Sequence, residues 1–219
     1  MRTIVFLKHK LIGCMVATAS CVLSLLLFAG VTFSQIGTFP GMPLTLDKTF
    51  WNPIVGAGAL YQVQVEGDAA SNGTMEVDVL SRERVNGQDA FWIQVTGKQT
   101  SKPEWVWKML VANDFPHQVL RSTFQLAGHP VTPLATKEPT RYRDSEATEY
   151  LDRETVAVPA GTFVCEHYRS KKTPGDIWLS KRVVLWGIVK DEGQHNGNSV
   201  RVTLLRTLTH TKNVVLGLP

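Results

Sequence analysis

Short segments of alternating polarity recur along most of the chain, and they restrict the possible fold more than any other feature. In the clearest one, apolar side chains alternate with Glu76 and Asp78, as expected of a strand that buries one face. We therefore expect these two carboxylates on a solvated face. About ten such segments can be recognised, without a strong helical period between them. They span residues 60–65, 74–80, 90–95, 104–110, 118–124, 154–158, 163–169, 176–180, 186–190 and 200–208.

Turn signals separate these segments. Asn72-Gly73 and Asn86-Gly87 flank the clearest one, and Asn-Gly pairs favour tight turns between antiparallel strands. Residues 127–150 contain three prolines and many charges but no period, so they are predicted to form an exposed connection, with room for one short helix. Together the patterns predict a mostly β fold: an antiparallel meander of about ten strands that forms a curved sheet or half-barrel.

The N-terminus is predicted to direct export. Three Lys or Arg residues precede residues 11–46, which carry no charge. A basic end followed by an apolar core is typical of a secretory signal peptide, and small residues precede a plausible cleavage point after Ser34. The stretch 11–33 is also long enough to span a bilayer as an apolar helix. Residues 1–34 are therefore predicted to be a signal peptide or a membrane anchor, and either would place the remaining chain outside the cytoplasm.

Composition divides the remaining chain. Residues 35–58 are rich in Gly and Pro and are predicted to be a linker, residues 59–210 to be the β domain, and residues 211–219 to be a tail. The net charge of +4 falls nearly to zero without the basic leader, so no nucleic-acid partner is expected. Cys165 is the single cysteine beyond the leader. We therefore expect an apolar core, rather than an internal disulfide, to hold the domain together.

The C-terminal half contains a distinctive motif. Residues 158–163 are V-P-A-G-T-F, which is predicted to form a hairpin turn, and D-I-W-L-S at 176–180 and G-I-V-K at 187–190 follow. These motifs resemble a group of exported bacterial proteins of unknown function, whose fold is similar to that of bacterial lipoprotein carriers (LolA-like). The resemblance implies a curved sheet half-closed around an apolar groove, with helices at its opening. It also implies a periplasmic protein, or one anchored to the inner membrane through residues 11–33 and facing the periplasm.

Few residues are arranged for catalysis or metal binding. Cys165 and His167 lie on the same side of one predicted strand, about 7 Å apart, whereas a nucleophile and its base need hydrogen-bond contact. We therefore interpret Cys165 as a small buried hydrophobic residue. The chain has no zinc-ligand spacing and no nucleotide-binding or nucleophile motif. A non-enzymatic protein without metal or cofactor is predicted; the alternative is a hydrolase whose site combines distant residues such as His167 or Cys165.

The tryptophans point to a ligand. Trp105, Trp107 and Met109 share one face of a predicted strand, and Trp92 lies opposite an apolar set on another. Such residues fill a core, line a groove or form a protein interface. The leading prediction is an exported envelope protein that binds an apolar ligand, a lipid or acyl chain, on a curved sheet through these four residues. The alternative is a structural or interaction module that holds a partner protein through its sheet face or edge strands.

Overall fold

The described residues lie in the second of two units. A computed structural model describes residues 49–115, 117–136, 148–171, 174–195 and 197–217. The chain divides after Phe39, and all described residues belong to the unit that extends from Pro40 to Pro219. The predicted leader at 1–34, with its apolar helix, lies outside the described residues. Within the described ranges, no helix is long and apolar enough to cross a bilayer.

The described residues contain eleven strands in one antiparallel sheet, so the predicted mostly β meander is confirmed. Each of the ten predicted segments overlaps one strand. The additional strand, β6, has two residues and lies within the predicted connection 127–150. The strands are β1 (Ala57–Val65), β2 (Gly73–Val85), β3 (Gln88–Gln99), β4 (Trp105–Ala112), β5 (Val119–Leu126), β6 (Thr132–Pro133), β7 (Thr148–Val158), β8 (Gly161–Ser170), β9 (Gly175–Leu179), β10 (Ile188–His195) and β11 (Asn198–Thr209).

The strand order joins two sequential halves. The sheet runs β6-β5-β4-β3-β2-β1-β11-β10-β9-β8-β7. Strands β1 to β6 therefore follow one another in space, as do β7 to β11, and β1 connects the halves by pairing with β11. Among the described residues, β6 and β7 form the two edges and do not pair with each other, so the sheet is open.

Two of the predicted turns form as expected and one does not. Asn86 and Gly87 both have positive φ, 51° and 83°, which suits the tight β2–β3 hairpin turn. In the V-P-A-G-T-F motif, Val158 pairs with Gly161, so Pro159 and Ala160 form the turn between β7 and β8. The Asn72-Gly73 pair was expected to form another tight turn, but the β1–β2 connection is longer and includes a short 3-10 helix, Ala69–Ser71.

Contacts between distant strands show that the sheet is strongly curved. Phe50 packs edge-on against Tyr168 of β8, with ring centroids 6.3 Å apart, and Trp51 stacks on His117, in the β4–β5 connection, at 4.2 Å. β4 and β8 are seven strand spacings apart in the sheet, about 34 Å if the sheet were flat. Phe50 and Trp51 are consecutive residues, with Cα atoms about 3.8 Å apart. They nevertheless contact β8 and the β4–β5 connection, respectively. The predicted curved sheet is therefore confirmed.

One face of the sheet, here named the apolar face, carries most of the core. Its fully buried side chains include Val79, Ile93, Val95, Met109 and Leu204. Two segments outside the sheet add buried apolar side chains, namely Phe50 and the run 183–186. Two backbone hydrogen bonds of 2.9 Å between Asn52 and Leu185 join these segments. The described end of the predicted linker therefore belongs to the folded domain, and the described residues contain no α-helix such as the resemblance implied.

The opposite face, here named the polar face, is crossed by residues 211–217, which we call the C-terminal strap. The Gln94 side chain donates to the Lys212 carbonyl at 3.1 Å and accepts from the Val214 N–H at 2.8 Å. Gln125 makes the same pair of hydrogen bonds with the two backbone groups of Leu216, at 2.7 and 3.1 Å. The described part of the predicted tail is therefore bound to β3 and β5 through side-chain amides.

Candidate ligand-binding site

The structure places the four predicted ligand-binding residues on two faces. Trp105, Trp107 and Met109 lie together on the apolar face. Met109 pairs with Ile93, a residue of that face, in the β3–β4 register, and the two tryptophans lie two and four residues before Met109 on the same strand. Trp92 is the next residue towards the N-terminus of β3, so it lies on the polar face. The four residues therefore do not share one surface, and ligand binding by the set stays a prediction.

The three residues on the apolar face are packed. Met109 is fully buried, and Trp107 is 8 % exposed. The Trp107 indole donates a hydrogen bond to the Ser122 hydroxyl at 2.6 Å, which satisfies its one polar atom. Trp105 stacks on Phe124 with ring centroids 6.2 Å apart. These contacts fit core packing, one of the three interpretations of the tryptophans, better than the lining of an open groove.

Trp92 borders a cavity of about 500 Å³ on the polar face. The cavity forms where β2 bulges, because its pairing with β3 shifts between Val79 and Ser81 and leaves Leu80 as the extra residue. A bulge re-aims the side chains of a strand. The C-terminal strap closes one side. The lining consists of Leu80, Ser81, Trp92, Lys108, Thr123, Thr211 and Asn213.

The two largest lining side chains are held by hydrogen bonds. The Trp92 indole donates to Glu83 at 2.8 Å, and Glu83 also pairs with Arg121 at 3.2 Å. The Lys108 ammonium donates to the Asn213 side-chain oxygen in the strap at 2.5 Å. Partial burial lowers the pKa of Lys108, because burial disfavours the charged form. The cavity thus combines a fixed aromatic wall with a cationic group at its strap side.

A buried carboxylate lies next to this site. Asp78 was expected on a solvated face, but it is fully buried because Gln94 and the adjoining strap cover it. Burial is the main cause that raises the Asp78 pKa to about 7, and the charge of Glu76 adds to the effect. A Cβ on Gly58 would lie 2.3 Å from the Asp78 Oδ1 atom. Only a glycine at this position therefore leaves room for the carboxyl group.

A second group of polar residues lies at the other end of the polar face. His167 on β8 has Asp152 and Glu154 of β7 near one ring nitrogen, and Asp176 of β9 near the other. Cys165, two residues away, is fully buried, and burial raises its pKa to about 11. A thiol with a raised pKa is a poor nucleophile. The interpretation of Cys165 as a small buried residue is therefore confirmed, and the histidine has carboxylates rather than a thiolate around it.

Sequence reasoning missed most of both groups. Lys108 and Leu80 look like ordinary members of alternating strands, and nothing local indicates that the strap returns to them. Asp152 lay near a stretch that we interpreted as a connection. Their shared location depends on strand register and on contacts more than 100 residues apart in sequence, such as that between Lys108 and Asn213.

Comparisons with known proteins give distant structural neighbours. No protein-family model and no curated protein matches the chain. A candidate lipoprotein from Parabacteroides distasonis is 12% identical, with a TM-score of 0.42, over 72% of this chain and 97% of its own. A candidate exported protein with a YmcC-like fold from Bacteroides fragilis is 13% identical, with a TM-score of 0.39, over 72% and 98%. The MucA/MucB complex of Pseudomonas aeruginosa is 11% identical, with a TM-score of 0.40, over 72% and 53%.

These likenesses are too distant to support a conclusion about function. They also leave the resemblance to LolA-like carriers a prediction.

Proposed function

We propose that this protein is an exported, non-enzymatic binding protein of the bacterial envelope, and that it holds an amphipathic molecule with an acyl chain beside Trp92. The observation that carries the proposal is the cavity of about 500 Å³ between this indole and the C-terminal strap. Small-molecule sites commonly enclose about 300–1,000 Å³ and combine apolar walls with a few polar groups. The cavity beside Trp92 has a volume in this range, and its lining combines the apolar side chains of Leu80 and Trp92 with five polar residues.

The chemistry of the lining favours an amphipathic ligand over a purely apolar one. Trp92 and Leu80 offer apolar surface, and the hydrogen bond from the indole to Glu83 keeps the ring in one orientation. Fixing a binding group in advance reduces the entropy that is lost on binding. The Lys108 ammonium can attract an anionic or strongly polar head group. Of the four residues predicted to bind the ligand, only Trp92 borders this cavity, and the other three lie on the packed apolar face.

The same lining supports a non-enzymatic role. Among the described residues that border the cavity, the polar groups are three hydroxyls, one amide, one indole N–H and one ammonium. General acid–base catalysis commonly uses a histidine or a carboxylate next to the reacting group, and the described lining contains neither. Export is supported by the basic and apolar N-terminal sequence.

Titration with a fluorescent fatty acid tests the proposal. We expect saturable binding with one ligand per chain, and a loss of at least tenfold in affinity for Trp92→Ala. Lys108→Gln should weaken binding of the fatty acid more than that of a neutral alcohol of equal chain length. Trp105→Ala is the matched control, because it removes an indole from the opposite face. Unsaturable binding, or an equal loss for both tryptophan variants, would contradict the proposal.

A second candidate function, holding a partner protein, is favoured by strand β7. Among the described residues, β7 forms one edge of the sheet over eleven residues, Thr148–Val158, and most of its side chains are exposed. An edge strand leaves one row of backbone groups available to an extended segment of another protein. A photoreactive residue at Thr155 should then give one defined adduct in envelope fractions, together with slower amide exchange along β7. The same residue at Arg206, on the central strand β11, is the control.

A further inference from the structure

We propose that Asp152, Glu154 and His167 form a binding site for a zinc-type divalent cation, with Asp176 as the group that orients the histidine. The site is separate from the cavity beside Trp92. It is built by strand register: Asp152 is paired with His167 across β7 and β8, and Glu154 follows two residues later on the same face. The pairing shifts between Tyr150 and Asp152, so a bulge directly precedes the first ligand.

The spacing of the candidate ligand atoms fits an ion. The His167 Nδ1 atom lies 3.4 Å from the Asp152 Oδ1 atom and 3.3 Å from the Glu154 Oε1 atom. All three ligand atoms lie within 4.8 Å of one another. Ligands bound about 2.1 Å from a tetrahedral zinc ion are about 3.4 Å apart. Two of the three ligand–ligand distances therefore already have the length that zinc requires.

The histidine is oriented for binding through Nδ1. Its Nε2 atom lies 3.1 Å from the Asp176 Oδ1 atom, a hydrogen-bond distance. Arg169 donates to the same carboxylate at 2.9 Å and holds it in place. When Nε2 carries the proton, Nδ1 directs a lone pair towards two carboxylate oxygens, which repel it unless a cation lies between them. Metal-binding histidines commonly donate their second N–H to a carboxylate in this way.

Neighbouring groups make the arrangement rigid but accessible. The Trp178 indole stacks on the His167 ring, with centroids 4.4 Å apart and planes inclined by 16°. The same indole donates a hydrogen bond to Glu154 at 2.5 Å. The His167 side chain is 13 % exposed, whereas Asp152 is 62 % exposed. An ion can therefore enter from solvent beside Asp152, and three protein ligands leave a fourth position for water.

The ligand types favour zinc over calcium or magnesium. Calcium and magnesium prefer oxygen ligands, whereas imidazole nitrogen together with carboxylates suits zinc and other first-row transition metals. The competing occupant of the space is a proton on Nδ1, which would give an imidazolium ion surrounded by three carboxylates. A zinc ion and a proton on Nδ1 can be told apart by experiment, because Nδ1 binds added zinc at neutral pH only if it does not keep the proton.

Titration of the metal-free, full-length protein with zinc, followed by a zinc-sensitive dye in competition, tests the site. We expect one ion per chain with a dissociation constant of micromolar or tighter. Asp152→Asn should weaken binding at least tenfold, and this exposed residue can change without loss of the fold. Glu149→Gln is the control, because it removes an exposed charge from the same strand outside the ligand set, and it should change the affinity less than twofold.

Nitrogen NMR of His167 gives an independent result. Zinc should shift the Nδ1 resonance and leave Nε2 protonated, and Asp176→Asn should weaken binding by about 10–100-fold. Failure to bind zinc at micromolar concentration would overturn the proposal. So would wild-type affinity in Asp152→Asn, or an imidazolium spectrum that excess zinc does not change at neutral pH.

Discussion

Replacing Asp78 by Asn should stabilise the protein at neutral and alkaline pH but not at acid pH. The carboxyl group is fully buried, and within the described residues its Oδ1 atom has no hydrogen-bond partner. Its other oxygen accepts a long hydrogen bond of 3.3 Å from Gln94. An ionised carboxylate in this position loses its hydration with little compensation, and for this reason its pKa rises to about 7.

The magnitude follows from the two pKa values of Asp78. An acid whose pKa is higher in the folded than in the unfolded state binds an extra proton when folded, so stability falls as pH rises between the two values. The rise in pKa from 3.8 to about 7 corresponds to a loss of about 4 kcal/mol in the free energy of unfolding when the group is ionised, at about 1.36 kcal/mol per pKa unit. The advantage of Asp78→Asn should therefore grow by up to about 4 kcal/mol between pH 4 and pH 8.

Urea unfolding of both proteins at several pH values between 4 and 8 measures this difference. The pH-dependent part of the difference in unfolding free energy does not depend on how well the introduced amide packs. Poor packing would lower the stability of the Asp78→Asn variant by the same amount at every pH. Burial also raises the pKa of Asp191 to about 7, but that residue is present in both proteins and cancels. Glu66→Gln, at an exposed position, controls for the loss of one negative charge. A difference that stays constant within about 1 kcal/mol across this pH range would refute the reasoning.

Three further predictions concern packing. Gly97→Ala should destabilise the protein by about 1–3 kcal/mol in urea unfolding, because the new Cβ would lie 2.1 Å from the Trp105 indole; an unchanged midpoint would show that the ring can move freely. Met109→Ala should cost about 2–5 kcal/mol by the same assay, and a smaller loss would show that the apolar face collapses easily. Cys165 should react with a thiol reagent only after unfolding, and rapid labelling of the native protein would contradict its burial.

The strands could be predicted because their signals are local. Alternation in 74–80 and the Asn86-Gly87 pair depend only on neighbouring residues, and both formed as expected. The solvation of Asp78 could not be predicted, since the covering strap lies more than 130 residues later in the chain. A strand pattern shows which side chains share a face, but it does not show what covers that face.

The candidate sites illustrate the same limit. Spacing within β4 correctly grouped Trp105, Trp107 and Met109, but it could not show that Trp92 on β3 faces the other way in the assembled sheet. The zinc-type site depends on the β7–β8 register, including the shift before Asp152. No pattern in either strand alone contains that register, so His167 could be considered only with its neighbour Cys165.

The pairing of β1 with β11 has a consequence for how the chain acquires its shape. Strands β1 to β5 pair with sequence neighbours and can assemble as soon as each has been made, but the second edge of β1 is completed only by residues 198–209. Contacts between residues so far apart in sequence form slowly. During synthesis, β1 therefore exposes an unpaired edge until the last strand arrives, which is a state prone to aggregation. We expect the nascent protein to depend on chaperones over this interval, and to lose that dependence once β11 has docked.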